Sequence, residues 1–236
     1  MATQSAWVLP QKPADLAEKQ VLSAILDGTF PIGDSLPPER ELAQSLGVTR
    51  PTLREALQRL ARDGWIQIQQ GKSTIVKDYW KEGNLIMLNA LSTQPENLSP
   101  AFMTNLLEVR AALAPVYARL AYDHNRDQAI AYLEKFTNLP DNPETYAQVD
   151  MELHHQLTIL SGNPIFTLIY NGFRQLSYQA GLNYFANPQA RIHSQSFYCG
   201  LLDDYRNNDP DNAEARTAKI MQDSLEYWNS LELGKD

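Results

Sequence analysis

The chain has 236 residues, an apolar fraction of 43% and a formal net charge of −8. The apolar fraction is too high for a disordered chain, and the length suffices for one large domain or two smaller ones. The acidic balance excludes a protein that coats nucleic acid unspecifically, because such proteins carry a large excess of Lys and Arg.

The charge is unevenly distributed along the chain. Residues 1–76 hold 8 Lys and Arg against 8 Asp and Glu, which leaves 12 against 20 for residues 77–236. The excess of acid therefore lies in the second part, and the neutral first part can still present a local basic surface.

Targeting and membrane signals are absent from the sequence pattern. The first ten residues, MATQSAWVLP, lack the basic and apolar regions of a signal peptide. The longest apolar run, about Ala111 to Tyr122, contains Pro115 and Arg119 and is too short to span a bilayer. Cys199 is the single cysteine, so no intrachain disulfide is possible. A cytoplasmic protein without a membrane partner is predicted.

The first part of the chain is predicted to form three helices and a short hairpin. The first helix, about Ala14 to Gly28, is expected to bury Leu16 and Val21 on one side. The second is expected to start at the double proline before Glu39 and to end at Gly47. Proline suits the first turn of a helix, and glycine suits the residue after its end.

The third helix has the pattern of a recognition helix. Thr49 is a plausible N-cap, and proline at position 51 is tolerated in the first turn. Its predicted buried face comprises Leu53, Ala56, Leu57 and Leu60. Arg50 and Arg54 are four residues apart and share another face near the start of the helix. Arginine can offer a fork of donors to O6 and N7 of guanine or to phosphate oxygens.

A hairpin is predicted after the third helix. Ile66 and Ile68 alternate with glutamines, which is the period of a half-buried strand. The tip, Gln70-Gly71-Lys72, combines a glycine for the turn with a cation for the DNA backbone. Three helices followed by such a hairpin predict a winged helix-turn-helix whose wing lies along a minor groove. Arg40 is interpreted as a further DNA contact, whereas Glu55 and Arg59 are interpreted as an ordinary helical pair.

The rest of the chain is predicted to be helical. Its breaks combine proline with Asn, Asp or Ser, which favour turns and helix starts, and no strand alternation follows Lys77. A connecting helix is expected from about Tyr79 to Leu91. The predicted fold is mostly α: a winged helix-turn-helix domain (1–78), a linker (79–98) and an all-α bundle for ligand binding and regulation (99–236).

The segment LPPERELAQSLGVTRPTLREALQRLARDGWI resembles the DNA-binding domain of the GntR family of bacterial regulators. In the second part, NLLEVR, SGNPIFTLIYNG and NYFANPQAR are similar to the FadR group within that family, which regulates fatty-acid metabolism. The resemblance implies contacts with a palindromic double-stranded DNA operator from Arg40, Thr49, Arg50, Thr52, Arg54, Gly71 and Lys72. Gln70 completes the wing tip.

Two positions depart from the pattern of the FadR group. Pro51 stands where relatives commonly have Thr, and it removes a hydroxyl and an N–H that could reach phosphate. Gln70 stands where relatives commonly have His. The operator sequence is therefore expected to differ in detail, whereas the docking mode is not.

The same resemblance implies a ligand for the second domain. In the FadR group that domain binds long-chain acyl-coenzyme A, and binding releases the operator. The matching ligand-binding positions are Arg110, Tyr184, Tyr198, Lys219, Ser224 and Trp228. Met221 is a departure, because relatives tend to have Gly there. From spacing alone, Met221, Ser224 and Trp228 lie on one helix face and could equally be core residues.

A metal site is the alternative reading of the second domain. Many GntR relatives bind a metal through one Asp and three His and sense a small carboxylate. Asp150 and His154 match two of those positions, but the other two fall on Tyr198 and Ser224. Two ligands of four make a poor site for a divalent cation, and a buried pair with His154 hydrogen-bonded to Asp150 explains the spacing as well. No metal and no cofactor are predicted.

Other classes of function lack support. The chain has no P-loop, no G-x-S-x-G motif and no dinucleotide fingerprint, so an enzyme is not predicted. The prediction is a homodimeric transcription regulator, a repressor, an activator or both. Dimerisation is implied by the resemblance and by the two recognition helices that a palindrome requires.

Overall fold

The structure is a computed structural model that describes residues 12–92 and 98–233. The chain divides into two compact units, Met1–Met87 and Leu88–Asp236. The described part of the first contains four helices, the start of a fifth and a small antiparallel sheet, and the described part of the second contains helices alone. The predicted mostly α fold, with a winged helix-turn-helix before a helical bundle, is confirmed.

Three helices form the base of the first unit: α1 (Pro13–Leu26), α2 (Glu39–Ser45) and α3 (Arg50–Asp63). The buried residues of α1 are Ala14, Ala17, Val21, Leu22 and Ile25. The prediction that Leu16 is buried is wrong, because its side chain is 42% exposed. The buried stripe runs through Ala17 instead, and successive residues of a helix are separated by about 100°.

Arg59 fixes α3 to α1 in this unit. Its Nη1 lies 2.7 Å from Oδ1 of Asp15 and 3.1 Å from Oε2 of Glu18, both on α1. Its Nη2 lies 2.6 Å from Oε1 of Glu55, which confirms the predicted helical pair. Arg59 therefore links two helices of the unit through its three carboxylate partners.

The hairpin consists of β1 (Ile66–Gln67) and β2 (Ile75–Val76), paired antiparallel. On its other side, the N–H of Val76 donates to the carbonyl of Asp34 over 2.9 Å, so the loop before α2 runs beside β2. The tip bends at Gly71, whose φ of 71° lies in the left-handed region that favours glycine. The stem thus holds the tip in a fixed position next to the start of α2.

The predicted connecting helix from Tyr79 to Leu91 is wrong, because two short helices occupy this segment. They are α4 (Tyr79–Glu82) and α5 (Leu85–Ser92), separated by an extended Gly83. A Cβ at Gly83 would lie 2.2 Å from the carbonyl oxygen of Tyr79, so only glycine fits this turn. Residues 93–97 of the predicted linker lie outside the described residues.

The second unit is a bundle of long helices. They are α6 (Pro100–Leu133, followed by the short 3-10 turn Glu134–Phe136), α7 (Pro143–Leu160), α8 (Pro164–Phe185), α9 (Pro188–Arg206) and α10 (Pro210–Leu233). Each begins at a proline, and the residue before it accepts a hydrogen bond from the first turn; these caps are Ser99, Asn142, Asn163, Asn187 and Asp209. The helix starts predicted from Pro beside Asn, Asp or Ser are confirmed.

Helix α6 is the longest helix of the bundle and runs antiparallel to α10. Thr104 hydrogen-bonds Asn229 near one end, and Arg119 pairs with Asp211 near the other. Ala114, Ala118 and Ala121 of α6 are fully buried, and their small side chains permit close packing of the neighbouring helices. A kink at Asn125, with φ −143° and ψ 40°, bends the last part of α6. This packing leaves a cavity among the five helices.

Candidate DNA-binding face and ligand pocket

The start of α3 is capped by its own sequence. Oγ1 of Thr49 accepts a hydrogen bond from the N–H of Thr52 over 3.3 Å, and the two hydroxyls lie 2.8 Å apart. Arg50 is the first helical residue and Pro51 occupies the first turn. The predicted N-cap is confirmed, and Thr49, Arg50 and Pro51 at this end of α3 are exposed.

Arg50 and Arg54 project from the exposed side of α3, opposite its buried leucines. Their side chains are 58% and 59% exposed. Neither is buried against its own subunit, but both lie near one carboxylate. Oε2 of Glu39 is 2.7 Å from Nε of Arg54 and 3.9 Å from Nη2 of Arg50. Sequence reasoning missed this contact, because Glu39 and Arg54 are 15 positions apart in the chain.

An open groove lies between the start of α2 and the wing. It is lined by Leu36, Pro37, Pro38, Glu39, Arg40, Arg50, Leu57, Ile68, Gln69, Gly71, Lys72, Ser73 and Thr74. The groove is open to solvent and has a volume of about 630 Å³. Three of these side chains are cationic and one is anionic, so this groove has a positive balance although the chain has a charge of −8. Phosphates favour such a surface.

The structure brings part of the predicted DNA-binding set together in this groove. Arg40, Arg50, Gly71 and Lys72 line it. Thr49, Thr52 and Arg54 belong to the adjoining first turns of α3, and Gln70 is exposed at the wing tip. All eight residues thus lie on α2, on the start of α3 or on the wing, which are the parts of this fold able to reach a duplex.

The cavity of the second unit receives residues from all five long helices. Its lining comprises Leu107, Arg110, Asp150, Ala180, Gly181, Tyr184, Phe185, Ser194, Ile220, Met221, Ser224 and Trp228. The cavity volume in this structure is about 30 Å³, enough for water but not for a large ligand without movement of the lining side chains. Most of the lining is apolar or aromatic, and the polar groups are concentrated around Arg110 and Asp150. Such a lining suits an amphipathic molecule.

A buried ion pair forms the polar wall of the cavity. Nη2 of Arg110 donates to Oδ2 of Asp150, and these side chains are only 13% and 14% exposed. The hydroxyl of Tyr198 donates to the other carboxylate oxygen over 3.2 Å. Burial raises the pKa of Asp150, but the charge of Arg110 and the hydrogen bonds from Arg110 and Tyr198, with the other nearby contributions, together outweigh burial, so this pKa lies below its usual value.

His154 is a neutral neighbour of this pair. Its Nδ1 lies 2.8 Å from the hydroxyl of Tyr117, whereas its Nε2 lies 3.7 Å from Oδ1 of Asp150, beyond hydrogen-bonding distance. The interpretation of His154 as hydrogen-bonded to Asp150 is therefore wrong. Complete burial, together with the charge of Arg110, lowers the pKa of His154 to about 3. His154 is uncharged at neutral pH.

Two hydrogen-bond donors of the cavity wall lack acceptors. Nε of Arg110 and Nε1 of Trp228 are buried, and neither has a hydrogen-bond partner among the described residues. Ser224, one turn before Trp228, donates to the carbonyl of Ile220 over 2.8 Å and lies 3.4 Å from the hydroxyl of Tyr184. Unpaired buried donors are rare in folded proteins, and a water molecule or a ligand that carries acceptors could satisfy these two.

The six residues predicted for ligand binding are placed differently. Arg110, Tyr184, Ser224 and Trp228 line the cavity. Tyr198 is 1% exposed and supports Asp150 from behind the lining. Lys219 points outward, 75% exposed, and lies 3.5 Å from Asp223. Sequence reasoning missed Asp150 and Ser194 as lining residues, because their partners are far away in the chain.

The surroundings of Asp150 and His154 do not favour the alternative of a metal site. Over residues 12–92 and 98–233, no group of three or more His, Cys, Asp or Glu could hold a metal ion. Asp150 is also occupied by Arg110, whose fixed positive charge would repel a second cation. In the same described residues, no helix is long and apolar enough to cross a bilayer.

The folds of the two units define a class of chain: a winged helix-turn-helix unit followed by an all-helical bundle. Residues 13–76 match the model of the gntR family of bacterial regulatory proteins, and residues 77–234 match that of the FadR C-terminal domain. The chain therefore belongs to the GntR family and, within it, to the regulators with a FadR C-terminal domain. Family membership confirms the prediction of a regulator and not an enzyme.

Several known proteins are similar to this chain. A fatty acid metabolism regulator protein of Shewanella baltica is 44% identical over 79% of this chain and 78% of its own length. One of Escherichia fergusonii is 37% identical over 94% of this chain and 93% of its own length. Among solved structures, Lar, which controls expression of the Listeria monocytogenes agr system, has a TM-score of 0.63 at 15% identity. The alignment covers 94% of this chain and 98% of Lar, and at that identity it supports the fold alone.

Proposed function

We propose that this protein is a transcription regulator of fatty-acid metabolism genes. It binds a palindromic operator as a homodimer through its first unit and is released when its second unit binds long-chain acyl-coenzyme A. The two relatives described above, which extend over most of the chain, are named as regulators of fatty acid metabolism. The observation that supports this ligand is the lining of the cavity, because it combines apolar walls with two buried donors that lack acceptors.

The proposal that the first unit binds DNA is supported by the distribution of its cationic side chains. Arg50 and Arg54 are exposed in the first turns of α3, where a recognition helix meets base edges. Arg40 and Lys72 flank them on α2 and on the wing, in position to meet phosphates. In this proposal Thr49 and Thr52 place the helix on the backbone, and Gln70 and Gly71 serve the minor groove.

The proposal that the second unit binds an acyl-coenzyme A is supported by the chemistry of the residues that line its cavity. An acyl chain gains about 0.8 kcal/mol for each methylene that it buries, so a long chain can supply the free energy that a switch requires. The thioester and amide carbonyls of an acyl-coenzyme A are acceptors for the free donors of Arg110 and Trp228. Lys219 is an exposed cation on the same helix as four lining residues and would serve the phosphates.

The proposal is tested by measuring operator affinity during three titrations, with palmitoyl-coenzyme A, free coenzyme A and a metal chelator. The operator is a palindromic duplex selected by the wild-type protein from a random pool. We expect release by palmitoyl-coenzyme A alone. Release by the chelator, or no response to the acyl ligand, would contradict the proposal. Coupling requires that the ligand binds the two states of the protein with different affinities.

Replacing Trp228 by Ala and by Phe distinguishes two contributions to ligand binding, the apolar contact of the aromatic ring and the hydrogen bond from the indole N–H. We expect Trp228→Ala to raise the palmitoyl-coenzyme A concentration for half release by about thirtyfold, the effect of about 2 kcal/mol at a binding hot spot. Trp228→Phe keeps a ring but lacks the N–H, so its effect should be smaller. Both variants should bind the operator like the wild type when no ligand is added. An Ala variant that is released as easily as the wild type would refute the pocket assignment.

Replacing Lys72 tests the role of the wing. Lys72→Ala should weaken cognate and scrambled duplexes alike, because phosphate contacts carry no sequence information. Each lost phosphate contact lowers the magnitude of the salt slope by about 0.9, so a dimer should lose about 1.8. Lys81→Ala is the matched control, since Lys81 lies on α4, pairs with Asp78 and is 83% exposed. A loss restricted to one base pair would contradict the backbone role.

A further inference from the structure

Glu39 is a carboxylate within the predicted DNA-binding face, where negative charge opposes phosphate. It is the first residue of α2, and its side chain is 35% exposed. Its Oε2 accepts a hydrogen bond from Nε of Arg54 over 2.7 Å and lies 3.9 Å from Nη2 of Arg50. One carboxylate therefore links the start of α2 to Arg50 and Arg54, two of the arginines of α3.

The atoms used in this contact decide what Arg54 can still do. The guanidinium has five N–H donors, and only the one on Nε is directed at Glu39. Nη1 and Nη2 remain available as a pair, and that fork matches O6 and N7 of guanine. An exposed arginine loses rotamer freedom when it binds. A side chain already oriented by a carboxylate has lost part of that freedom before the duplex arrives.

The charge of Glu39 acts in a second way. Phosphates of any sequence meet Arg40, Arg50 and Lys72 in the same groove, and Glu39 lines that groove beside them. Its carboxylate repels those phosphates on every duplex alike. A duplex with the matching guanine offsets that repulsion, because the guanine accepts hydrogen bonds from the oriented fork of Arg54. A duplex without that guanine gains no such contact and experiences the repulsion alone. Specificity is a difference between two affinities, and Glu39 affects each of them differently.

Resting on the DNA-binding function proposed above, we propose that Glu39 is a positioning residue that determines specificity. It orients Arg54 toward a base edge and lowers the affinity for duplexes without the matching base. The partner is double-stranded DNA with a guanine within reach of Arg54. This role differs from that of the basic residues, which increase affinity for DNA of any sequence.

The test compares cognate and scrambled duplexes at several salt concentrations, with the operator selected by the wild-type protein. Glu39→Ala should raise the affinity for scrambled DNA and reduce the ratio of cognate to scrambled affinity by about fivefold for each half-site, the lower end of the value of one bidentate contact. Glu39→Gln keeps an acceptor for Nε and should retain part of the ratio. Glu41→Gln is the control: Glu41 lies in the same helical turn, is exposed and has no ion pair in the part of the chain described. It should leave the ratio unchanged.

A double-variant cycle identifies the partner. If Glu39 acts through Arg54, Glu39→Ala should reduce the ratio in the wild type but not in the Arg54→Ala background. An equal reduction in both backgrounds would overturn the proposal, and so would an equal gain on both duplexes, which indicates charge repulsion alone. An unchanged ratio in Glu39→Ala would also overturn it. If the wild type itself shows no cognate preference, the DNA-binding proposal fails instead, so the two failures are distinguishable.

Discussion

Arg50→Ala is expected to remove most of the preference for the operator while leaving unspecific binding largely intact. Arg50 is the first residue of α3 and its side chain is 58% exposed, so it can reach a base edge without rearrangement of the fold. A bidentate contact to guanine contributes about 1–3 kcal/mol of discrimination, which gives about 2–6 kcal/mol for the two half-sites of a palindrome. The ratio of cognate to scrambled affinity should fall accordingly.

The control for this experiment is Arg62→Ala. Arg62 lies in the last turn of the same helix, is 72% exposed and pairs with Asp63. Its removal subtracts the same charge from the chain but should leave the ratio unchanged. Equal losses for the two variants would mean that α3 contributes charge and no sequence recognition. An unchanged ratio in Arg50→Ala would remove the base-reading role of that residue.

Local sequence signals were sufficient for the DNA-binding unit. The start of α3 could be predicted because the cap and the first helical turn lie within four residues of one another, at Thr49 and Thr52. The wing could be predicted because apolar and polar residues alternate up to a glycine at the tip, Gly71. The interruption at Gly83 was missed, because one glycine in a helical pattern is usually tolerated. Here a close approach to the carbonyl of Tyr79 excludes any larger residue.

The contacts that give the two sites their chemistry were not visible in the sequence. Glu39 and Arg54 are 15 positions apart, and Arg110 and Asp150 are 40 apart. Neither separation is a helical or strand period, so no local rule connects these residues. Arg110, Asp150 and their neighbours meet only because α6, α7 and α10 pack together. The resemblance to a family supplied Arg110 as a ligand residue, but it did not supply the carboxylate that holds it.

Breaking the buried pair in the second unit should destabilise the fold strongly. Arg110→Met removes the cation but keeps an apolar stem, and it leaves Asp150 charged in a dry site. Removing one partner of a buried ion pair costs about 3–5 kcal/mol. The free energy of unfolding, measured in urea at pH 8, should fall by that amount. Arg119→Met is the control on the same helix, because Arg119 forms surface ion pairs that contribute less than about 1 kcal/mol.

The dependence of this loss on pH identifies its cause. In the wild type Asp150 is ionised and His154 is neutral at pH 8, because the pKa of each is lowered. Without Arg110, the native state of the variant can bind a proton on Asp150 or on His154, whose Nε2 is 3.7 Å from that carboxylate. The native pKa of the site is then raised, and a raised native pKa contributes stability at low pH that is lost as the pH rises. The difference between wild type and variant should therefore be larger at pH 8 than at pH 5.5.

Removing the second member of the pair distinguishes an electrostatic cause from poor packing. The double variant Arg110→Met with Asp150→Leu has neither charge, and replacing a buried ion pair with apolar residues is often neutral or stabilising. We expect the double variant to recover most of the lost stability. Apart from the contribution of His154, its difference from the wild type in free energy of unfolding should be the same at pH 5.5 and at pH 8. If it is as unstable as the single variant, the loss comes from packing around α6. If it is stable, its response to palmitoyl-coenzyme A measures the pair as a ligand contact alone, because the fold no longer depends on it.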